Sequence, residues 1–284
     1  MSLAATCEWL MELRVQRNAC LRARIRIDNA AVAMLRRAFG EAPVPGARIS
    51  RAQKAWSRLL TQKPLTAQDA ADADLVLETL KAFAVSRAAM QDPIDRIEKE
   101  MLAQARLVDM GEFVSGVRGF SLMGVAAIIG ETGDLRLYPH PRMVWKRLGL
   151  MPWNGAAGSN CASKGLSADD WTRLGYVPRR RAAMRVLEEA LLKHQIEAAG
   201  KSETAFGRPT GRYGEVYVAR RERNARERPD WTPGHSKDDA SRIMIKTLVS
   251  DVWSEWRRQH IKALELIHQV AAVANSLPPS REAP

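Results

Sequence analysis

The spacing of apolar residues constrains this chain most, because they recur every three or four positions along the first 110 residues. This spacing places them on one face of an α-helix, whereas a strand would show strict alternation of apolar and polar residues. The first stripe runs from Leu3 to Phe39, and Gly40 is the residue type that ends helices. Its members are Leu10, Leu13, Cys20, Leu21, Ile27, Ala31, Met34 and Leu35. The pattern predicts a long first helix and an all-α fold.

Two further helical seams follow, one from Ala70 to Ala84 after the N-cap residue Thr66, and one from Ile94 to Val108 after Asp92 and Pro93. Asp at the N-cap and Pro at the first helical position are typical of a helix start. Such seams pair helices, either within one chain or across a homodimer. Neither seam lasts the three or four heptads of a free coiled coil, so pairing within the chain is the simpler prediction.

Turn-forming residues and caps divide the chain further. Residues 41–48 carry two prolines and a glycine and read as a linker, and Ser50 with Gln53 forms a capping box that predicts a helix through Leu60. The predicted segments are Arg-rich N-terminal helices at 1–62, a coiled-coil-like segment at 63–110, a helix-hairpin-helix-like module with a loop-rich subdomain at 111–200, a basic flexible segment at 201–236, a C-terminal helix at 237–276 and a tail at 277–284.

The charge balance points to a polyanionic partner. The chain has 44 Lys and Arg against 32 Asp and Glu, which gives a formal net charge of +12. The excess lies in Arg-rich helices and loops, whereas a protein that binds the membrane surface more often has a Lys-rich tail beside an amphipathic segment. Nucleic acid is therefore favoured over membrane. The alternative is that the basic surface serves only solubility.

Neither a metal site nor a cofactor is expected from the residue pattern. Cys7, Cys20 and Cys161 show no CxxC spacing, and the five histidines show no ligand spacing. No stretch reaches the roughly 18 apolar residues of a membrane span, and no secretory leader is recognisable. The sequence predicts a cytoplasmic protein without metal or cofactor.

The segment from Arg118 to Ser121 reads as a hairpin between a short helix and the apolar helix that follows it. Gly119 in such a turn allows the backbone to approach a ligand, and the first amides of the next helix suit a phosphate. An ordinary buried corner between two helices explains the same residues equally well.

Basic residues interleaved with tryptophans extend this candidate site. Trp145, Trp153 and Trp171 lie among cations of the turn-rich region 139–178, where aromatic rings could stack bases or anchor the loops as buried side chains. Three arginines then open a helix after Pro178, although their charge opposes the helix dipole. The predicted nucleic-acid-binding residues are Arg118, Gly119, Ser121, Arg142, Lys146, Lys164, Arg179, Arg180, Arg181, Arg220 and Arg221.

The order of several short motifs resembles the C-terminal part of the transposases of the IS-one-ten group of insertion sequences, over residues 90–200. The motifs are the hairpin Arg118–Ser121, the small-residue helix Val125–Ile129, the acidic end Glu131–Asp134, the step Gly149–Pro152, the loop Gly158–Asn160 and the pair Lys164–Gly165. This family acts on DNA. The resemblance therefore implies DNA more than RNA as the partner, and it implies that Ser159 takes the position of the family's serine nucleophile.

The chain departs from this family in its N-terminal part. The family has an RNase-H-like domain whose strands carry metal-binding acids, whereas residues 1–110 read as helices here, and Ser121 replaces the hairpin's second glycine. Without those acids, phosphodiester cleavage lacks its metal ligands. Three hypotheses follow: a DNA-binding relative without autonomous cleavage, a helical interaction or scaffold protein whose charge is incidental, and a recombinase whose metal site comes from a partner.

Overall fold

The computed structural model describes residues 2–42, 49–151, 177–197 and 206–276, and within these ranges the fold is all-α, as predicted. A single two-stranded antiparallel ribbon accompanies the helices there, with Ile196 opposite Pro209. The helices are α1 (Leu3–Ala38), α2 (Arg51–Leu60), α3 (Ala67–Ala73), α4 (Leu77–Ala89), α5 (Gln91–Ala105), α6 (Gly111–Ser115), α7 (Leu122–Thr132), α8 (Pro141–Arg147), α9 (Pro178–Gln195), α10 (Arg212–Glu227) and α11 (Pro233–Ser276), and the strands are β1 (Ile196–Glu197) and β2 (Arg208–Pro209).

Local capping chemistry fixes several of these boundaries. Gly40 has a φ of +64° just after α1, and Ser50 and Gln53 form the predicted capping box at the start of α2. Thr66 accepts a hydrogen bond from the amide of Asp69 and so caps α3, as predicted. The predicted cap at Asp92 is wrong, because α5 already begins at Gln91 and places Asp92 in its first turn.

The seam from Ala70 to Ala84 is not one helix. Helix α3 ends at Ala73, a 3-10 turn covers Asp74–Val76, and α4 begins at Leu77. Apolar spacing alone did not reveal the break, because the short turn keeps Ala73 and Leu80 in the same core.

The chain divides into two compact units. Unit 1 comprises residues 1–11 and 102–284, and unit 2 comprises residues 12–101. The predicted boundary between residues 62 and 63 lies inside unit 2, because Trp56 and Leu80, on either side of it, share one hydrophobic core. The predicted boundary between residues 110 and 111 likewise lies inside unit 1.

A buried core and one shared carboxylate hold unit 2 together. Leu35 of α1, Trp56 of α2 and Leu80 of α4 pack in the core. The carboxylate of Asp28 accepts hydrogen bonds from Trp56 Nε1 at 2.9 Å and from Arg87 Nε at 2.6 Å, which joins α1 to α2 and α4. Charge-assisted bonds of this length are among the stronger polar contacts in proteins.

Unit 1 is built around α11. This helix packs against α8, α9 and α10, and its buried side chains include Leu248, Val252 and Trp256. Helix α7 is almost wholly buried, as its run of small and apolar residues predicts.

The carboxylate of Asp134 connects the end of α7 to α11. It accepts a hydrogen bond from Trp256 Nε1 at 3.0 Å and pairs with Arg136 Nη2 at 2.7 Å. Cys7 of α1 lies beside this site, where burial and, next, the charge of Asp134 raise its pKa to about 12. The thiol is therefore protonated and unreactive at neutral pH.

Residues 201–236 correct one prediction. They were expected to form a basic flexible segment, but residues 212–227 form α10, and the last helix begins at Pro233 instead of after Ser236. Helix α10 buries Tyr213 and Tyr217 on one face. Its charges misled the prediction because arginines on a helix can pair with carboxylates from elsewhere in the chain.

One amide side chain joins three segments of unit 1. Gln195 Nε2 donates to the carbonyl of Arg118 at 2.8 Å, and its Oε1 accepts from the amide of Gly214 at 3.4 Å. The end of α9, the turn before α7 and the start of α10 are therefore held at one point.

We expect the contribution of Asp134 to stability to depend on pH. Burial by itself would raise the pKa of this carboxyl group, but hydrogen bonds from Arg136 and Trp256 outweigh burial and lower it. The stabilisation is therefore fully present above the unfolded-state pKa of about 4 and is lost as the pH falls through the lower folded-state pKa. Asp134→Asn should reduce the free energy of unfolding by about 2 kcal/mol near neutral pH, and by less in acid.

Chemical denaturation of both proteins across this pH range measures the difference. Asp230→Asn is the matched control, because Asp230 is exposed and the same change there should leave stability nearly constant. An Asp134→Asn loss that stays equal from neutral pH to about pH 3 would contradict the assignment.

Candidate nucleic-acid interface

The predicted hairpin is a packed corner between α6 and α7. Gly119 has a φ of +83°, and a Cβ atom there would lie 2.7 Å from His194 Cβ and 3.1 Å from the carbonyl oxygen of Ala190. Helix α9 therefore occupies the space in front of this glycine. The close approach that the sequence predicts is real, but it is made to a helix of the same chain.

The other hairpin residues have local roles. Ser121 is the N-cap of α7, and its hydroxyl accepts a hydrogen bond from the amide of Gly124 at 3.4 Å. The side chain of Arg118 is exposed, while its carbonyl accepts the bond from Gln195. Arg118 is therefore the one cation of the turn, and its side chain is exposed.

Two of the arginines at the start of α9 lie near a buried carboxylate. Its negative charge offsets their unfavourable interaction with the helix dipole. Arg179 Nη2 lies 3.5 Å and Arg180 Nε lies 3.6 Å from Oε2 of Glu131, whose side chain has no exposure. Arg147 Nε donates to the Glu131 carbonyl at 3.3 Å. We call Glu131, Arg147, Arg179 and Arg180 the Glu131 cluster.

Arg181 belongs to a separate ion pair. Its Nη1 lies 2.7 Å from Oε1 of Glu188, which is buried. Burial raises the pKa of Glu188, although Arg181 opposes that shift. The third arginine of the predicted triplet therefore neutralises an internal charge.

Arg220 and Arg221 are also engaged inside unit 1. Arg220 Nε donates to Asp239 Oδ2 at 2.6 Å. The guanidinium group of Arg221 lies 4.6 Å from the ring centroid of Phe206 and donates to the hydroxyl of Tyr217 at 3.0 Å. Both side chains therefore make contacts within the protein that hold α10 in place.

Helix α8 presents two of the predicted cations to solvent. Arg142 and Lys146 are exposed and stand four residues apart, so they lie on one face of the helix. The indole of Trp145 instead donates to the Lys246 carbonyl at 3.0 Å, and the Lys246 ammonium lies 5.3 Å from its ring centroid. Trp145 thus anchors α8 to α11, which is the structural alternative of the two considered for the tryptophans.

Four predicted functional positions fall outside the described residues. They are Ser159, Lys164, Trp153 and Trp171. The described part of the chain contains no group of three or more His, Cys, Asp or Glu that could hold a metal ion. In that same part, no helix is long and apolar enough to cross a membrane.

The predicted site omitted Arg147 and Glu131. One signal was present: Glu131 is a charged residue in an otherwise apolar helix, and such a residue is rarely buried without a partner. The identity of the partner, more than 40 residues away along the chain, could not be read from spacing.

Comparison with known proteins identifies no relative: no protein-family model, curated protein or solved structure matches the chain.

We expect Gly119→Ala to destabilise the protein by at least about 2 kcal/mol, because the added methyl group meets α9 and the left-handed backbone is strained. Gly40→Ala is the control, since Gly40 also has a positive φ but a Cβ there meets nothing within 4 Å. The control should lose only the backbone contribution, about 1 kcal/mol. Equal losses in chemical denaturation would show that the approach to α9 has no energetic weight.

Proposed function

We propose that this protein binds nucleic acid, DNA in preference to RNA, and that it is a transposase-related protein without autonomous cleavage activity. The observation that carries the proposal is the formal net charge of +12, together with exposed cations on α8. Cations that stand free of carboxylates can neutralise phosphates and release counterions, which is the main source of affinity for nucleic acid. The motif order of residues 90–200 supports DNA as the partner.

The internal ion pairs reduce the number of cations that can contact a nucleic acid. Arg181 and Arg220 are each paired with a buried carboxylate, so they are poor candidates for phosphate contacts. Arg142 and Lys146 on α8, with Arg118 in the turn before α7, are exposed and stay the preferred contacts.

The same pairs favour the second candidate function, a helical interaction or scaffold protein. Arg51 pairs with Asp69 and Asp72, and Arg87 pairs with Asp28. When arginines are used in this way, a basic composition overstates the charge that a partner meets. The two functions differ in whether affinity for nucleic acid exists and depends on salt.

We expect duplex DNA to bind with micromolar or tighter affinity at about 50 mM salt, with log affinity falling linearly with log salt concentration. Fluorescence anisotropy with duplex DNA, single-stranded DNA and structured RNA measures both quantities. Reversing the charge at Arg142 and Lys146 together should weaken binding about tenfold or more and reduce the salt slope by about 2.

Lys54 and Lys63 provide the matched control, because both are exposed lysines of unit 2. Charge reversal there changes net charge equally but should affect affinity much less. Equal losses in the two double variants would indicate diffuse attraction, and binding that is absent or independent of salt would favour the scaffold function.

We expect no strand cleavage and no covalent DNA adduct with magnesium or manganese present. The reason is that the described residues up to position 110 form helices joined by turns, without a strand, where the resembling family has its acid-bearing strands. Ser159→Ala should leave DNA affinity unchanged. An adduct that forms with the wild type and disappears in Ser159→Ala would instead establish a recombinase.

A further inference from the structure

The Glu131 cluster brings three guanidinium groups together with one carboxylate. Arg147 ends α8, whereas Arg179 and Arg180 open α9, so two helices supply the positive charge. The carboxylate lies at the base of the cluster with no exposed surface, while the side chain of Arg179 is 38% exposed. The cluster therefore opens to solvent at Arg179.

The carboxylate of Glu131 makes only long contacts with Arg179 and Arg180. Its contacts at 3.5 Å and 3.6 Å are long beside the 2.7 Å contact of Arg181 with Glu188. A well-formed guanidinium–carboxylate bond measures about 2.8 Å. The arginines are thus attracted to Glu131 without forming a close pair.

Hydrogen-bonding capacity is left unused at the same place. The Nε atoms of Arg179 and Arg180 are buried, and among the described residues neither has an acceptor within hydrogen-bond distance. A buried donor without an acceptor is costly and uncommon in folded proteins. An additional acceptor would allow these two guanidinium groups to turn and complete their bonds.

The electrostatics also favour an added negative charge. Burial and then the like charge of Arg147 lower the pKa of Arg180, so its positive charge is less well stabilised than that of an exposed arginine. Helix α9 begins at the cluster, and its N-cap residue, Val177, makes no side-chain capping bond. The positive end of the helix dipole therefore adds to the arginine charges.

We propose that the Glu131 cluster is a binding site for a single oxyanion of the phosphate class, held by Arg147, Arg179 and Arg180. A tetrahedral phosphate offers several acceptor oxygens and a negative charge, which suit three guanidinium groups that lie close together. The buried carboxylate of Glu131 then orients the arginine side chains. Inorganic phosphate alone suffices to test this site, so the inference does not rest on the proposed function.

The first test follows the arginine side chains of the wild-type protein by NMR. Correlation spectra of the Nε–H groups are recorded while phosphate replaces chloride at constant ionic strength, and Arg179→Lys and Arg180→Lys assign the two signals. We expect both signals to shift with a common, roughly millimolar dissociation constant. Signals that stay unchanged up to about 50 mM phosphate would overturn the proposal.

The second test measures phosphate affinity by calorimetry in variants. Arg180→Gln should weaken binding about tenfold or more, whereas Arg226→Gln, the same change at an exposed position of α10, should not alter it. Glu131→Gln keeps the shape but removes the negative charge, so it should strengthen binding several-fold. Loss of affinity in Glu131→Gln with the fold retained, or equal effects of both arginine variants, would overturn the proposal.

Two oligonucleotides then distinguish the source of the phosphate. A single-stranded DNA with a 5′-phosphate and the same strand with a 5′-hydroxyl compete with inorganic phosphate at the cluster. Competition by the phosphorylated strand alone would assign a terminal phosphate, competition by both would assign the backbone, and competition by neither would assign free phosphate. If DNA fails to bind while phosphate binds, the proposed function fails and this site stands.

Discussion

Buried carboxylates, each held by arginine, are the constraint on which unit 1 depends. Asp134 fastens the end of α7 to Trp256, Glu188 fixes Arg181, and Asp239 receives Arg220. Removing one partner from such a pair leaves an uncompensated charge in the interior, which is far more costly than losing a surface ion pair. These arginines therefore serve the stability of the fold, and only arginines without such an internal partner are available to bind another molecule.

Features set by neighbouring residues could be predicted from the sequence, whereas ion pairs between distant residues could not. Local signals were sufficient for the all-α class and for the caps at Ser50 and Thr66, because apolar spacing and capping depend on neighbouring residues. Helix α10 was missed because its arginines read as a solvated run, whereas Arg220 meets Asp239 across the turn between two helices. Its partner has no spacing rule that identifies it.

The candidate site shows the same limit. Two interpretations of Gly119 were open, approach to a ligand or an ordinary buried corner, because a turn signal does not say what approaches, and in the structure His194 of α9 lies there. The conflict between Arg179–Arg181 and the helix dipole was visible in the sequence, but we assigned these arginines to nucleic-acid binding and did not predict an internal carboxylate. That the charge is Glu131, with Arg147 beside it, follows only from the packing of α7, α8 and α9.

The division into units has a consequence for biosynthesis. Unit 2 is one continuous stretch, residues 12–101, so all of its partners have been synthesised before α6 emerges from the ribosome. Unit 1 instead draws on residues 1–11 and on 102–284, so the first turns of α1 must wait at least until the end of α7 is made, where Gly133 lies beside Met11 and Asp134 beside Cys7. Domains generally fold as units during translation, and contacts between distant segments form slowly. The apolar face of α1 around Leu10, which is buried in the folded protein, is thus exposed in the nascent chain until its partners are made, and it needs protection from aggregation during that time.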